Sequence, residues 1–574
     1  MFTTVCRLLQ SIYEMAIMNA NVSPFAVPAI FSGVVICSLF LKIFIQYLSL
    51  RHIPGPWPAK LTNFWLASKF WTGGNFLDIA IDLDRKYGPV VAYGPNRVLF
   101  SDPAAVGVIF NTKDALQKAE SYEPAIPAVN GKLVVTIATE RSESRISAIK
   151  KQIIHAFSTN AMLDYEPHID RNIMYLMSRL GNVEMQGDQL NIAPWLIFFA
   201  FDTICRIAFS DDQGLMEKQA DMGNSLEGAR QRLAYWHTWQ ALPWMERLLF
   251  KNRWAVRLSA RASNKGSMLG QLAAARLQDR LEKGGLGTYS DLLDRFLQAA
   301  ERDPEVIANT TVHGLVISMI HAGAESTSAT LLITLYYLMA NPRTLVKLRE
   351  ELKSATLSSP PQWTEVHQLR YLEACIKEAG RLRPLVFNPM EREVPANGPG
   401  IQVAGVYIPP GTVVAVNTHA LNREPTVWGE HPNEYRPERW IECNEAQLQR
   451  MERANLFFSA GRRVCIGQHV AWIEMKKVLP ELLLRFDVST HAHIPNPPQP
   501  TYFRSARLAA WLRSNETQPQ PWETRRSTCM VASYGSTDIS FSQIEPADPY
   551  APLKNAPGTM NLFIDELLVR LTPR

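Results

Sequence analysis

The stretch Phe458-Ser459-Ala460-Gly461-Arg462-Arg463-Val464-Cys465-Ile466-Gly467 decides how this 574-residue chain is read. It runs into a helical pattern over residues 468–485, where Pro480 predicts a kink. Cys465 therefore lies just ahead of a helix N-terminus, where backbone N–H groups and the helix dipole stabilise a thiolate. Gly461 and Gly467 permit tight backbone turns close to a flat ligand. Arg463, two residues before the sulfur, reaches an anionic group, and Phe458 covers the sulfur. A lone cysteine beside a glycine turn is ordinarily a packed core residue. Five positions spaced to serve one sulfur point instead to a ligand.

Working outward, residues 305–341 hold no proline and are closed by Pro304 and Pro342. This segment is apolar on nearly every face at 315–320 and 331–340, so the helix it predicts crosses the middle of a large domain. In its centre stands Ala322-Gly323-Ala324-Glu325-Ser326-Thr327, preceded by His321. Glu378-Ala379-Gly380-Arg381, with acid and base one helical turn apart, and Pro437-Glu438-Arg439-Trp440 lie between that helix and the cysteine. Far upstream, Ile146-Ser147-Ala148-Ile149-Lys150-Lys151 leads into His155-Ala156-Phe157-Ser158.

The pattern Phe-x-x-Gly-x-Arg-x-Cys-x-Gly, with these constellations in this order, resembles the cytochrome P-450 monooxygenases over about residues 54–501. The resemblance implies that Cys465 is the axial thiolate of haem b, pushing electron density onto iron so that O–O cleavage is favoured. Phe458, Gly461, Arg463 and Gly467 then shape the cofactor site, with Arg463 on a propionate. Glu378, Arg381 and Arg439 form the network that braces the cysteine loop. Glu325, Ser326 and Thr327 are the acid–alcohol group that relays protons to dioxygen. Ser326 stands where the family usually has threonine, which puts tight coupling of oxygen use to product in question. At the position where the family has Trp/His-x-x-x-Arg stand Ile146 and Lys150. Lys150 either pairs with a propionate as a point charge, without arginine's fork, or belongs to a solvated basic face. His321 either faces the substrate or is a satisfied core histidine.

The expected fold is mainly α with minor β. Strands are expected within residues 90–100 and 403–416, where apolar alternation is punctuated by Gly and Pro, and a helix over residues 290–299. Residues 1–53 read as an N-terminal membrane anchor. No charge occurs from residue 15 to 41, and a transmembrane helix is expected at about 25–48, with Lys42 snorkelling from its end. A cleavable signal peptide would have a shorter apolar region nearer the start. Lys42, Arg51 and Lys60 after the span, against Arg7 before it, place the body in the cytosol. Pro54-Gly55-Pro56-Trp57-Pro58 reads as a hinge to the catalytic domain, residues 54–501. Residues 502–574 form its atypical, Pro-rich C-terminal part. There the family's final strand is either residues 567–571, or a hairpin of 529–533 and 537–544.

Lys plus Arg is 59 against Asp plus Glu 54, a net charge of +5. That excess is too thin for a nucleic-acid binder, and 47% hydrophobic residues exclude a disordered chain. The seven cysteines are scattered, without a C-x-x-C pair, so neither a disulfide framework nor structural zinc is expected. The closest flavour is the membrane-anchored fungal type, similar to pisatin demethylase and the trichothecene hydroxylases, carried by residues 199–209 and 239–244. The resemblance then implies an endoplasmic-reticulum enzyme acting with O2 on a lipophilic small molecule, in terpenoid, polyketide or alkaloid biosynthesis. Its electrons would come from NADPH through a separate NADPH–cytochrome P-450 reductase. The chain has no dinucleotide fingerprint of its own. Arg462, Lys476 and Lys477 either steer the reductase or form a solvated helix face. Substrate contacts are expected from residues 122–135, His321 and residues 385–390. Competing functions are an isomerase or dehydratase of the same fold, which needs no reductase, and a non-enzymatic membrane haem- or sterol-binding protein.

Overall fold

The computed structural model describes residues 26–184, 190–262, 267–284, 286–386, 388–489 and 567–573. Helix α1, Ala26–Leu50, carries the apolar N-terminal pattern and contains a candidate membrane span, Ser32–Leu50, that is almost entirely unburied. The helix continues through Lys42, so that lysine lies inside the candidate span and not at its end. Among the described residues two other helices have the length and apolarity to cross a bilayer, but they are packed inside the protein.

The segment expected as a hinge is docked. Leu50 and Ile53 are buried, and the Ala92 N–H donates to the Pro54 carbonyl at 2.8 Å. The backbone at Gly55 lies so close to the Ala92 carbonyl that a Cβ would overlap it. Two short helices follow, α2 (Trp57–Leu61) and α3 (Phe64–Trp71). Trp57, Phe64 and Trp71 are exposed on them.

Strands β1 (Val90–Gly94) and β2 (Arg97–Phe100) form an antiparallel hairpin. Strand β3 is Gln117–Lys118, and β4 is Leu190–Asn191, which belongs to a second sheet described below. Helix α4 (Glu143–Ile153) starts at Ser142, whose hydroxyl accepts from the Arg145 N–H, and α5 is Thr159–Glu184. Helix α6 (Ile192–Phe209) is capped by Asn191, whose side chain accepts from the Ala193 N–H. Helix α7 is Ser225–Trp239, and α8 is Leu292–Arg302, capped by Asp291. Thus α8 begins and ends slightly later than residues 290–299.

The long helix α9 (Asn309–Ala340) runs through the main hydrophobic core and packs most extensively on α6. The two cross closely at Gly323, where a Cβ would stand 2.6 Å from the Ile204 side chain. Helix α10 is Arg370–Leu382. Strands β5 (Arg392–Glu393) and β6 (Val413–Val416) complete a five-stranded sheet of order β1-β2-β6-β5-β3, with β6 parallel to β2. Helix α11 (Gln468–Arg485) follows the cysteine and passes through Pro480 without ending there. Then come β7 (Phe486–Ser489) and β8 (Leu568–Pro573), which form a second sheet of order β7-β8-β4. The strand expected at residues 567–571 is observed at Leu568–Pro573, whereas the alternative hairpin and the Pro-rich stretch lie outside the described residues. The architecture is mainly helical with a minor sheet component.

Candidate active site

The cysteine loop is a tight backbone structure. Cys465 N–H donates to the Phe458 carbonyl at 2.9 Å, and Val464 N–H to Gly461 at 3.2 Å. Gly461 has φ +65°, and a Cβ there would overlap the Phe110 carbonyl oxygen. Glycine is thus required at 461 by both conformation and space. Gly467 differs. Its φ is −87° and its Cβ position meets no protein atom within 4 Å, so protein packing alone does not demand glycine. The Phe458 ring sits 4.5 Å from Phe457 and 5.7 Å from Trp472.

Gly461→Ala is expected to cost at least about 2 kcal/mol, because it adds left-handed strain to a steric overlap. A urea melt of the variant would measure the loss. An unchanged midpoint would contradict this account of the loop.

Cys465 is exposed by area, yet protein atoms crowd it enough for burial to push its thiol pKa up. The Gly467 N–H and the Lys150 ammonium pull in the opposite direction. Lys150 donates to the Arg462 and Val464 carbonyls at 2.7 and 3.2 Å. It is neither on a solvated face nor a free point charge, because the loop carbonyls hold its ammonium.

Arg463 donates Nε to Glu143 at 2.7 Å and Nη2 to the Arg141 carbonyl at 3.2 Å, while its buried Nη1 has no partner among the described residues. Two cations that no local pattern announced join it. Lys118 on β3 lies 4.3 Å from the Tyr122 ring centroid and donates to the Ala138 carbonyl at 2.6 Å. Its pKa is held well down, by burial first and then by Arg392 and Arg463. Arg392, on β5 beside β3, is itself depressed by burial and by Arg463. Its neighbour Glu391 is clamped by Tyr93 Oη at 2.6 Å and by Arg97. Arg392, Arg463 and Lys150 thus all act on Lys118, and Glu143 opposes them.

The structure brings Glu378, Arg381 and Arg439 together in a fully buried cluster. Glu378 Oε1 accepts from Arg381 Nη2 and Arg439 Nε, each at 2.7 Å. Its Oε2 accepts from Arg381 Nε at 2.8 Å and Trp440 Nε1 at 3.0 Å. The two arginines also hold carbonyls of Asn422, Pro432 and Trp428. The link to the cysteine loop runs through Phe457, whose ring lies 2.6 Å from where a Cβ of Gly380 would be. Gly380 is thus the residue that lets the loop rest on α10.

On α9, Glu325, Ser326 and Thr327 do not share a direction. Ser326, like Ala322 one turn earlier, is exposed in the middle of an otherwise buried helix. Its hydroxyl donates to the Ala322 carbonyl at 2.5 Å. Thr327 is buried, and Glu325 Oε1 accepts from Arg230 Nε of α7 at 3.0 Å. The segment stays helical throughout. His321 is not a satisfied core residue, because its buried Nε2 has no partner among the described residues. Along residues 385–390, Val386 is exposed, and Asn388 is buried and bonded to Gln240 at 2.8 Å. Lys476 and Lys477 correct their reading as a surface pair. Lys476 reaches Glu373 at 2.6 Å, and Lys477 reaches Asp170 at 2.5 Å and Glu166, so both are buried and spent.

The family model described as Cytochrome P450 matches residues 52–508. A cytochrome P450 monooxygenase of Aspergillus terreus is 32% identical over 501 residues, covering 84% of this chain and 97% of the relative. The cytochrome P450 monooxygenase cicH of Emericella nidulans is 34% identical over 451 residues, covering 77% and 88%. The cytochrome P450 monooxygenase mfmA of Annulohypoxylon moriforme is 33% identical over 465 residues, covering 79% and 89%.

Proposed function

Because the chain belongs to the cytochrome P450 family and is a monooxygenase of it, we propose that it oxidises a lipophilic product of fungal secondary metabolism, anchored in the endoplasmic-reticulum membrane by α1 with its body in the cytosol. The NADPH–cytochrome P450 reductase is its electron donor and O2 its co-substrate. A terpenoid, polyketide or alkaloid substrate, of the kind handled by pisatin demethylase or the trichothecene hydroxylases, is consistent with its fungal relatives. The observation that carries the reading is an accessible thiol in a loop whose Arg463 joins Arg392 in holding down the Lys118 pKa.

That donor set fits haem b. Cys465 would hold the iron, while Arg463, Arg392 and Lys118 would meet the propionates. Their mutual repulsion and the unpartnered Arg463 Nη1 are what an incoming dianion relieves. When bound, the group supplies oxygen activation driven by its thiolate ligand. The chain's own residues do the rest. Lys150 locks the loop carbonyls on either side of Arg463. Arg230 positions the Glu325 carboxylate, and Ser326 presents the hydroxyl that passes a proton. Arg462 stays partly exposed near the cysteine as a reductase contact, without the two lysines.

Turnover is expected to require NADPH and reductase. Ser326→Ala should keep consuming NADPH while product formed per NADPH falls about tenfold, and Ser326→Thr should raise that ratio above the parent. Turnover that continues without reductase would overturn the monooxygenase reading. A ratio unchanged in both variants would remove Ser326 from the relay.

A further inference from the structure

We propose that Lys150 is a positioning residue that fixes a positive charge beside the Cys465 sulfur and so sets the potential at which the enzyme accepts its first electron. The proposal rests on the haem-thiolate reading of the site. Within it, Lys150 has a duty other than the propionate contact that the resemblance implies for this position.

The charge is placed by rigid parts. Ile146, Ile149 and Ile153 bury one face of α4. Gln152 ties the same helix to Asp303 at 2.8 Å, and the Gln152 carbonyl accepts from Arg302 Nη2 at 3.3 Å. From the last turn of α4, Lys150 reaches the cysteine loop and donates to the Arg462 carbonyl at 2.7 Å and the Val464 carbonyl at 3.2 Å. Two carbonyl acceptors favour the ammonium over the neutral amine. Val464 immediately precedes Cys465, and the peptide between them is trans. A trans peptide sets its carbonyl oxygen on the same side as the next Cα. Lys150 Nζ therefore stands at most about 9 Å from the sulfur, whatever the cysteine rotamer.

Among the described residues, Lys150 is the one charged side chain that acts on the Cys465 thiol. Arg463 is nearer in sequence, but it is turned to Glu143 at 2.7 Å and to the Arg141 carbonyl at 3.2 Å. Glu143 and Arg463 both act on Lys150, in opposite directions, and as a contact pair they offset one another at a distance. The ammonium is what the sulfur feels. At this range inside a protein, a unit charge moves a one-electron equilibrium by about tenfold. Reduction adds one electron, delivered by the reductase, and breaks no bond. The site gains negative charge, so a fixed cation favours the reduced form. The same cation draws density from the thiolate and weakens its bond to iron. Arginine at 150 would keep the charge, whereas glutamine would keep N–H donors for the carbonyls without it. That pair of variants separates the field from the scaffolding.

The test is an anaerobic spectroelectrochemical titration of the full-length, haem-loaded parent, Lys150→Arg and Lys150→Gln. Lys150→Gln is expected to shift the reduction equilibrium about tenfold toward the oxidised form, a midpoint lower by about 59 mV for one electron. Lys150→Arg should stay close to the parent. Resonance Raman of the same samples should show a higher iron–sulfur stretching frequency in Lys150→Gln alone. If the glutamine variant does not fold, Lys150→Met, uncharged and of similar volume, takes its place with the same expected drop. A midpoint unchanged in the uncharged variant overturns the proposal. So does an equal shift in the arginine variant, since loop geometry and not charge would then be responsible. A shift confined to propionate vibrations, or loss of haem from a folded uncharged variant, overturns it too, because Lys150 would then hold the cofactor. The carbon monoxide spectrum of the reduced parent separates the two failures. A red-shifted band with unmoved potentials removes the role of Lys150 and leaves the monooxygenase, whereas no such band in folded parent removes both.

Discussion

Cys465→Ser is expected to abolish the strongly red-shifted Soret band of the dithionite-reduced, carbon monoxide-bound protein and to remove turnover. Serine keeps the size and the loop hydrogen bonds, so the fold should survive, but its oxygen is a poor axial donor and the thiolate push is lost. If that push is worth about 4 kcal/mol of barrier, the rate falls about a thousandfold. The other described cysteines are unsuited to replace it. Cys205 and Cys375 are buried, and burial drives both thiols up. Cys37 lies on α1, and Cys443 is half-buried against the second hydrophobic cluster. A red-shifted band that survived in the serine variant would mean that another residue ligates the iron.

The second large effect is expected at Glu378. Glu378→Gln should destabilise the protein by about 3–5 kcal/mol, because Arg381 and Arg439 would be left as buried charges without an anion. Haem content and the urea midpoint would both fall. Conservative Arg439→Lys should lose less, since Arg381 keeps its two bonds. Full stability in Glu378→Gln would show that the carbonyls of Asn422, Pro432 and Trp428 suffice to hold the arginines. The same group sets a pH dependence. Burial opposes ionisation of Glu378, but Arg381 and Arg439 outweigh it, so its folded pKa lies below the ordinary 4.5. A depressed carboxyl contributes stability that is fully present above the unfolded value and is lost as pH falls through the folded one. Unfolding should therefore steepen in acid below about pH 4.5, and less so in Glu378→Gln.

Much of this site was legible because its parts are local. The cysteine loop, the Glu378–Arg381 pair and the Ala322–Thr327 turn each fit within ten residues, and the apolar run of α9 announces a core helix by length and pattern. The cations around Arg463 were not legible. Lys118 and Arg392 meet because β3 pairs with β5, and each strand is only two residues long. No periodicity exists in two residues. Lys476 and Lys477 looked like surface charge for a related reason: their carboxylates arrive from α5 and α10, far away in sequence. The proline segment after α1 has the composition of a hinge, yet one hydrogen bond from Ala92 and a close backbone approach at Gly55 fix it.

Strand β8 has a consequence for how the molecule is made. It pairs Val569 with Leu190 and Leu571 with Val488, and Leu567 N–H donates to Asn191 Oδ1 at 3.0 Å, the atom that also caps α6. Residue 190 therefore waits for residue 569 before its sheet exists. During synthesis α1, α6 and α9 all leave the ribosome before residues 568–573, and this edge of the body stays unpaired until those residues emerge. Translation cut short after residue 489 would yield a chain that holds the cysteine loop but lacks the strand between β4 and β7. Such a chain displays two open strand edges, which is the signature quality-control factors act on.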